Sequence, residues 1–278
     1  MFERQSAIVF GAAKGIGRAS AMEFARRGAR VSVADINLAG AEETAAAIIE
    51  AGGTAKALAC DVADLGSMQA ARDAAAKAFG TPTIVMNNVG ILVAGSPGDI
   101  PLSEWQRIID VNLMSVARSL DVFLPDLLEG GRGHIVNVAS AAALFPYAPS
   151  RLPYVASKSA IIGISESLAI HLKPKGIGVT CLCPGPVVTN IADNVKNWSP
   201  GAPMQGPGSH YSLKNPAEVG PLLADAMEQG QVMVVTHENL WADYRRHAAN
   251  PDQFIAEKIA EFARGEIGSP AWPADNPA

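Results

Sequence analysis

Ser6-Ala7-Ile8-Val9-Phe10-Gly11-Ala12-Ala13-Lys14-Gly15-Ile16-Gly17 is the stretch from which the fold follows. The apolar run from Ser6 to Phe10 reads as a strand, and a helical stretch to Arg27 begins directly after the glycines. Glycines let the backbone turn sharply and approach a ligand closely, and the free N–H groups at a helix start attract phosphate. A glycine-rich turn also serves simple strand-to-helix packing, so its surroundings decide. Arg30 to Asp35 reads as a second strand ending in an acid, at about the twenty-residue distance of a group that hydrogen-bonds adenosine ribose hydroxyls. Strand, glycine turn, helix, strand and terminal acid together predict a dinucleotide site, with Gly11, Gly15, Ile16 and Gly17 at the pyrophosphate.

Asp35 also bears on which dinucleotide is bound. Its carboxylate would repel the 2′-phosphate of NADP, and the next residue is Ile36, not an arginine that could accommodate that phosphate. NAD is the expected cofactor. Lys14 pulls the other way, although it also reads as an exposed loop lysine.

Outward from this unit the alternation continues: a helix over 39–51 stopped by Gly52-Gly53, a strand over 54–59, a helix over 68–79, and a strand over 83–86. Strands separated by helices require right-handed crossovers. The expected fold is therefore α/β, a doubly wound parallel sheet of Rossmann type, in a single domain with helices on both faces. At 278 residues, 49% of them hydrophobic, the chain can bury such a core. Ligands of these sheets gather beyond the carboxyl ends of the strands, where Asp61, Asn88 and Gly90 fall. The same residue types also make ordinary turns.

Ser103 to Leu127 reads as one long helix with Ser103 as N-cap and an apolar face of Trp105, Ile109, Leu113, Val116, Leu120 and Phe123. Pro125 should kink or end it. Asn112 is a poor mid-helix residue, which points to a polar task or a solvent-facing position. The strand over 134–140 places Ser140 at its carboxyl end. Tyr154 and Lys158, four apart on a helix, share one face, so an ammonium near a phenol could lower its pKa toward working pH. Alone, that spacing is equally that of a surface pair. Tyr147 and Arg151 share the spacing but sit among Pro146, Pro149 and Pro153, where a helix is not expected.

In order, Gly11-x-x-x-Gly15-x-Gly17, Asp61, Asn87-Asn88-Val89-Gly90, Asn112, Ser140, Tyr154-x-x-x-Lys158 and Pro184-Gly185 resemble the short-chain dehydrogenase/reductase family, in its shorter, non-extended branch. The resemblance covers roughly residues 5–190. It implies that Tyr154 exchanges a proton with the alcohol or carbonyl oxygen, that Ser140 hydrogen-bonds the same oxygen, and that Lys158 lowers the tyrosine pKa and bonds the nicotinamide ribose. Asn112 would hold a water in a proton relay through Lys158. Pro184, Gly185, Val187 and Thr189 would meet the nicotinamide, Asp61 and Val62 would border the adenine, and Asn88 with Gly90 would line the cofactor floor. The implied activity is hydride transfer between NAD(H) and a secondary alcohol or ketone. An NADP-dependent ketoreductase of the same fold and a non-catalytic NAD-binding regulator are the alternatives.

Three positions depart from the family pattern. Phe10 replaces the usual threonine, whose hydroxyl braces the loop near Asn88; Val89 replaces alanine; and Thr236-His237-Glu238 follows the strand at Gln231 to Val235 in place of Val-Asp-Gly-Gly. Residues 188–215 read as a substrate lid loop, containing Ile191, Val195, Trp198, Met204 and Tyr211. With Leu92, Val93, Leu144, Phe145 and Pro146, they predict a pocket for a bulky, largely apolar small molecule. Residues 250–264 read as a further helix, and 269–278 as a flexible tail.

A net charge of -5 without long basic runs excludes nucleic acid and an anionic membrane as expected partners. The N-terminal apolar run is too short for a signal or a span, Cys60 stands alone, and Cys181 and Cys183 read as strand core, so a cytoplasmic location is expected. The five histidines show no metal-ligand spacing, and no metal is expected. The family resemblance implies a homo-oligomer, a dimer or tetramer.

Overall fold

The computed structural model describes residues 1–192, 195–200 and 211–266. Its elements, in order, are β1 (Ser6–Phe10), α1 (Gly15–Arg26), β2 (Arg30–Asp35), α2 (Leu38–Glu50), β3 (Thr54–Ala59), α3 (Leu65–Phe79), β4 (Ile84–Asn87), β5 (Val93–Ala94) and α4 (Leu102–Ile109). After a π-helical turn over Asp110–Met114 come α5 (Ser115–Gly130), β6 (Gly133–Val138), α6 (Leu152–Leu172), β7 (Ile177–Cys183), β8 (Lys196–Asn197), α7 (Pro216–Glu228), β9 (Met233–Val235), α8 (Asn239–Ala249) and α9 (Pro251–Ala263).

Seven strands form one parallel sheet in the order β3-β2-β1-β4-β6-β7-β9. The winding reverses between β1 and β4, and a crevice opens beyond their carboxyl ends at such a reversal. The period-2 alternation of β1 sends Ala7 and Val9 into the core beneath α1, α2 and α7, and Ile8 and Phe10 into the core beneath α3, α5 and α6. Both faces of the sheet are thus buried, as an unbroken apolar strand requires.

The helix expected over 103–127 is interrupted. It begins at Leu102 after Pro101, with no side-chain cap from Ser103, and the π turn places one extra residue around Asn112. Pro125 does not end α5, which runs on to Gly130. Pro125 is exposed, so water can satisfy the carbonyl that its missing N–H leaves open. α8, absent from the sequence expectation, precedes α9, the helix expected over 250–264, which has Asn250 as its N-cap.

Of the expected lid, 188–192, 195–200 and 211–215 are described; Met204 and the tail over 269–278 lie outside the described residues. The described parts are tied down. β8 pairs with β5, Ser199 Oγ donates to Asp99 at 2.6 Å, and Val187 bridges Lys214. Among the described residues no helix is long and apolar enough to cross a membrane, and no cluster of His, Cys, Asp and Glu could hold a metal ion.

Candidate active site

A cavity of about 710 Å³ lies at the reversal of the sheet. It runs from Asp35 and Ile36 past the glycine turn to Ser140 and Tyr154. Gly11 and Gly15 take positive φ of 70° and 59°, which glycine adopts without strain. Gly17 serves packing: a Cβ there would stand 2.1 Å from the Gly11 carbonyl oxygen. α1 starts after Lys14 without a side-chain cap, and Gly15 and Ile16 in its first turn line the cavity. That helix start is a ready anion site.

Asp35 holds its place by accepting N–H bonds from Ala13 at 3.0 Å and Asn37 at 2.9 Å, one at each carboxylate oxygen. Its charge faces the same cavity end as Ile36, Asp61 and Val62. On the floor, Asn88 Nδ2 donates to the carbonyls of Phe10 at 3.3 Å and Gly11 at 2.9 Å. Bracing of the turn therefore comes from an amide to backbone oxygens, and a side-chain hydroxyl at position 10 is not needed for it. The Phe10 ring packs edge-on against Phe123, with centroids 5.8 Å apart.

At the other end, α6 carries Tyr154 in its first turn and Lys158 one turn later, both buried and both on the cavity wall. Lys158 Nζ donates to the Val138 carbonyl at 2.7 Å, and burial lowers its pKa to about 8. Ser140 Oγ accepts the Ala142 N–H at 3.1 Å, which leaves its own hydrogen to donate. Burial raises the Tyr154 pKa, against the lowering expected from Lys158. Desolvation of the phenolate is the larger effect; the Ser140 hydroxyl and then the Arg151 charge pull the other way.

Asn112 and Gly17 do not line the cavity. The Asn112 side chain is fully buried and holds the loop after β4 against α6: Oδ1 accepts from Ile91 N at 2.8 Å, and Nδ2 donates to Ile91 O and Ser157 Oγ. Both amide hydrogens are thereby used, and the π turn explains why a residue unfavourable in a helix sits there. Gly90 packs close to Lys158; a Cβ there would lie 3.1 Å from Nζ. Pro184, Gly185, Val187 and Thr189 form the facing wall, with Thr189 against Gly15.

A model of the short chain dehydrogenase family matches residues 5–200. The chain belongs to the short-chain dehydrogenase family.

Among curated members of this family, the chain is 40% identical over 196 residues to the probable oxidoreductase EphD of Mycobacterium tuberculosis; the match takes in 69% of this chain and only 33% of that protein. It is 37% identical to D-threitol dehydrogenase of Mycolicibacterium smegmatis, over 69% of this chain and 73% of the relative. It is 35% identical to cyclohexanol dehydrogenase of an Acinetobacter species, over 68% and 76%. A short-chain dehydrogenase/reductase from Burkholderia phymatum, solved in complex with NAD, shares the fold with a TM-score of 0.79 and 28% identity, over 91% of this chain and 95% of that one.

Two residues of this short-chain dehydrogenase were discounted on sequence grounds yet reach the site. Tyr147 and Arg151 form no helical pair, since Pro149–Arg151 is a 3-10 turn, but both line the cavity beside Tyr154. Their signal was proximity to Tyr154 in the chain, masked by the prolines. Among the apolar residues expected at the substrate, Leu92 and Ile191 line the cavity. Val93, Leu144 and Phe145 are instead packed in the cores behind it, and Pro146 is exposed. Val195, Trp198 and Tyr211 pack against those cores too.

Proposed function

We propose that this chain is an NAD-dependent dehydrogenase or reductase that interconverts a secondary alcohol and a ketone. The observation that carries the reading is one cavity with an uncapped helix start and Asp35 at one end, and Tyr154, Ser140 and Lys158 at the other. The residues present fit a dinucleotide. The first turn of α1 would hold its pyrophosphate, Asp35 its adenosine ribose, and Pro184 to Thr189 its nicotinamide. When bound, the nicotinamide supplies the hydride acceptor or donor.

The chain's own residues handle the oxygen. Tyr154 exchanges a proton with it, Ser140 donates a hydrogen bond to it, and Lys158 sets a positive charge on the same wall. At neutral pH the buried phenol is protonated and thus ready as the acid of carbonyl reduction. Alcohol oxidation needs the phenolate, so its kcat/KM should rise with pH while that of reduction falls.

Leu92, Ala142, Tyr147 and Ile191 give the substrate end an apolar lining, which supports a substrate with apolar bulk beside the carbinol carbon. The named relatives that oxidise threitol and cyclohexanol support a secondary alcohol. The test follows nicotinamide absorbance with NAD and NADP over a panel of secondary alcohols. Tyr154→Phe should bind the dinucleotide nearly as well but lose about 10²- to 10⁴-fold in turnover. Full activity in that variant, or a strong preference for NADP, would overturn the reading.

A further inference from the structure

The peptide between Pro184 and Gly185 is held at both ends. Its carbonyl accepts the Ala141 N–H at 2.8 Å, directly after Ser140. Its N–H donates to Thr236 Oγ1 at 2.9 Å. Beyond Thr236 stands His237, buried, with Nδ1 2.8 Å from Thr236 Oγ1 and Nε2 2.8 Å from the Ser212 carbonyl.

Donor and acceptor roles in this chain follow from chemistry. A carbonyl only accepts, so Nε2 carries the hydrogen; a neutral imidazole then leaves Nδ1 bare to accept the Thr236 hydroxyl, whose oxygen in turn accepts from Gly185. All four groups are satisfied in one direction, from Gly185 to Ser212. The imidazole also lies close against the turn: a Cβ on Gly185 would stand 2.5 Å from Nδ1.

We propose that His237 is a positioning residue of this site: as the Nε2–H tautomer it fixes, through Thr236, the plane of the Pro184–Gly185 peptide and with it Ser140, and through its own Nε2–H it holds the stretch from Tyr211 to Lys214. The role belongs to residues that depart from the family pattern, since Thr236-His237 stands where a different ending is usual. It rests on the reading of Ser140 as a substrate-oxygen donor.

A second proton on the imidazole would break the order. Nδ1 would become a donor, Thr236 would have to turn its own hydrogen elsewhere, and the Gly185 N–H would share its acceptor. Burial lowers the His237 pKa from its usual value, so the ordered form prevails at neutral pH. Among the described residues facing the ring, the Ser212 carbonyl and Glu218 favour the proton and Lys214 disfavours it, while Tyr211 packs edge-on at 5.8 Å with its hydroxyl bound to Asp243 of α8.

The experiment measures hydrogen exchange of the Gly185 amide and of 211–214 across pH, corrected for intrinsic rates, with imidazole 15N shifts reporting the tautomer. Wild type should show Nε2–H and at least tenfold faster exchange once the ring is protonated. Thr236→Val should exchange fast already at neutral pH. His237→Asn, which keeps an acceptor near Nδ1 and does not titrate, should hold most protection at all pH, so that the rise in Gly185 exchange on acidification seen in the wild type is lost. A bare Nε2, or Gly185 exchange indifferent to the state of His237, would overturn the proposal. The exchange outcome stands whether or not an alcohol is turned over, so failure of the proposed activity is distinguishable.

Discussion

Lys158 shows how strongly a single side chain can set stability against function. Its folded-state pKa of about 8 lies below the 10.5 of a free lysine, so its burial destabilises the fold wherever the lysine is charged. A depression of this size corresponds to about 3 kcal/mol below pH 8. The sign follows from proton counts. Between the two pKa values the unfolded chain binds more protons than the folded one, so stability rises with pH in that window. Lys158→Met removes this titration but leaves the Val138 carbonyl without its donor. The wild type should therefore gain about 2 kcal/mol relative to that variant between pH 7 and pH 9.5. Urea unfolding at the two pH values measures it, and parallel curves for the two proteins would show that the lysine is not the buried charge described here. The same variant should lose turnover, because it removes the Lys158 ammonium from the wall that carries Tyr154. Tyr154 and Lys158 stand together on the cavity wall as their spacing predicts, but the expected lowering of the tyrosine pKa is outweighed by burial, which raises it. Spacing brings a cation near, whereas the depth of burial that raises the phenol is a property of the folded wall.

At the scale of elements, the same substitution should act with opposite sign in two helices. Gly163 in α6 is exposed, and a Cβ there would meet nothing within 4 Å. Alanine should stabilise the protein by about 1 kcal/mol through helix propensity alone. Gly17 in α1 would gain the same propensity, but its Cβ would overlap the Gly11 carbonyl oxygen. The turn must then move, and overpacking of this kind costs about 1–3 kcal/mol, so Gly17→Ala should lower the melting temperature and weaken binding of the nicotinamide cofactor. Thermal melts of both variants decide it; stabilisation at both sites would mean that the turn yields freely. The glycine turn was readable because its residues carry their own backbone demands. The π turn at Asn112 was not, since period-3.6 reading assumes an unbroken helix and the reward for breaking it lies in Ile91 and Ser157, far away in the chain. α8 was missed for a related reason: among its residues only Leu240 is buried, so no apolar stripe announces it.

Across the whole molecule, the family match ends at residue 200, yet the wall of the cavity is supported from beyond it. Phe254 of α9 is 2% exposed and packs edge-on against Phe145, which leans on Tyr147, whose other side lines the cavity. The end of the cavity at the glycine turn and Asp35 is built from β1 to β4 and their turns, within the matched part. The two ends should therefore respond separately to damage in the tail helix. Phe254→Ala removes a buried aromatic ring and should cost about 3 kcal/mol of stability. Its effect should not stop there, because Tyr147 loses the backing that sets its position. We expect KM for the substrate to rise about tenfold at a temperature where the variant is fully folded, with cofactor affinity changed less than twofold. Steady-state kinetics with saturating cofactor, together with a fluorescence titration of the dinucleotide, separates the two. An unchanged KM with a lowered melting temperature would reduce α9 to scaffolding. A loss of both affinities would mean that the sheet reversal itself depends on this helix, against the separation of the two ends seen in the packing.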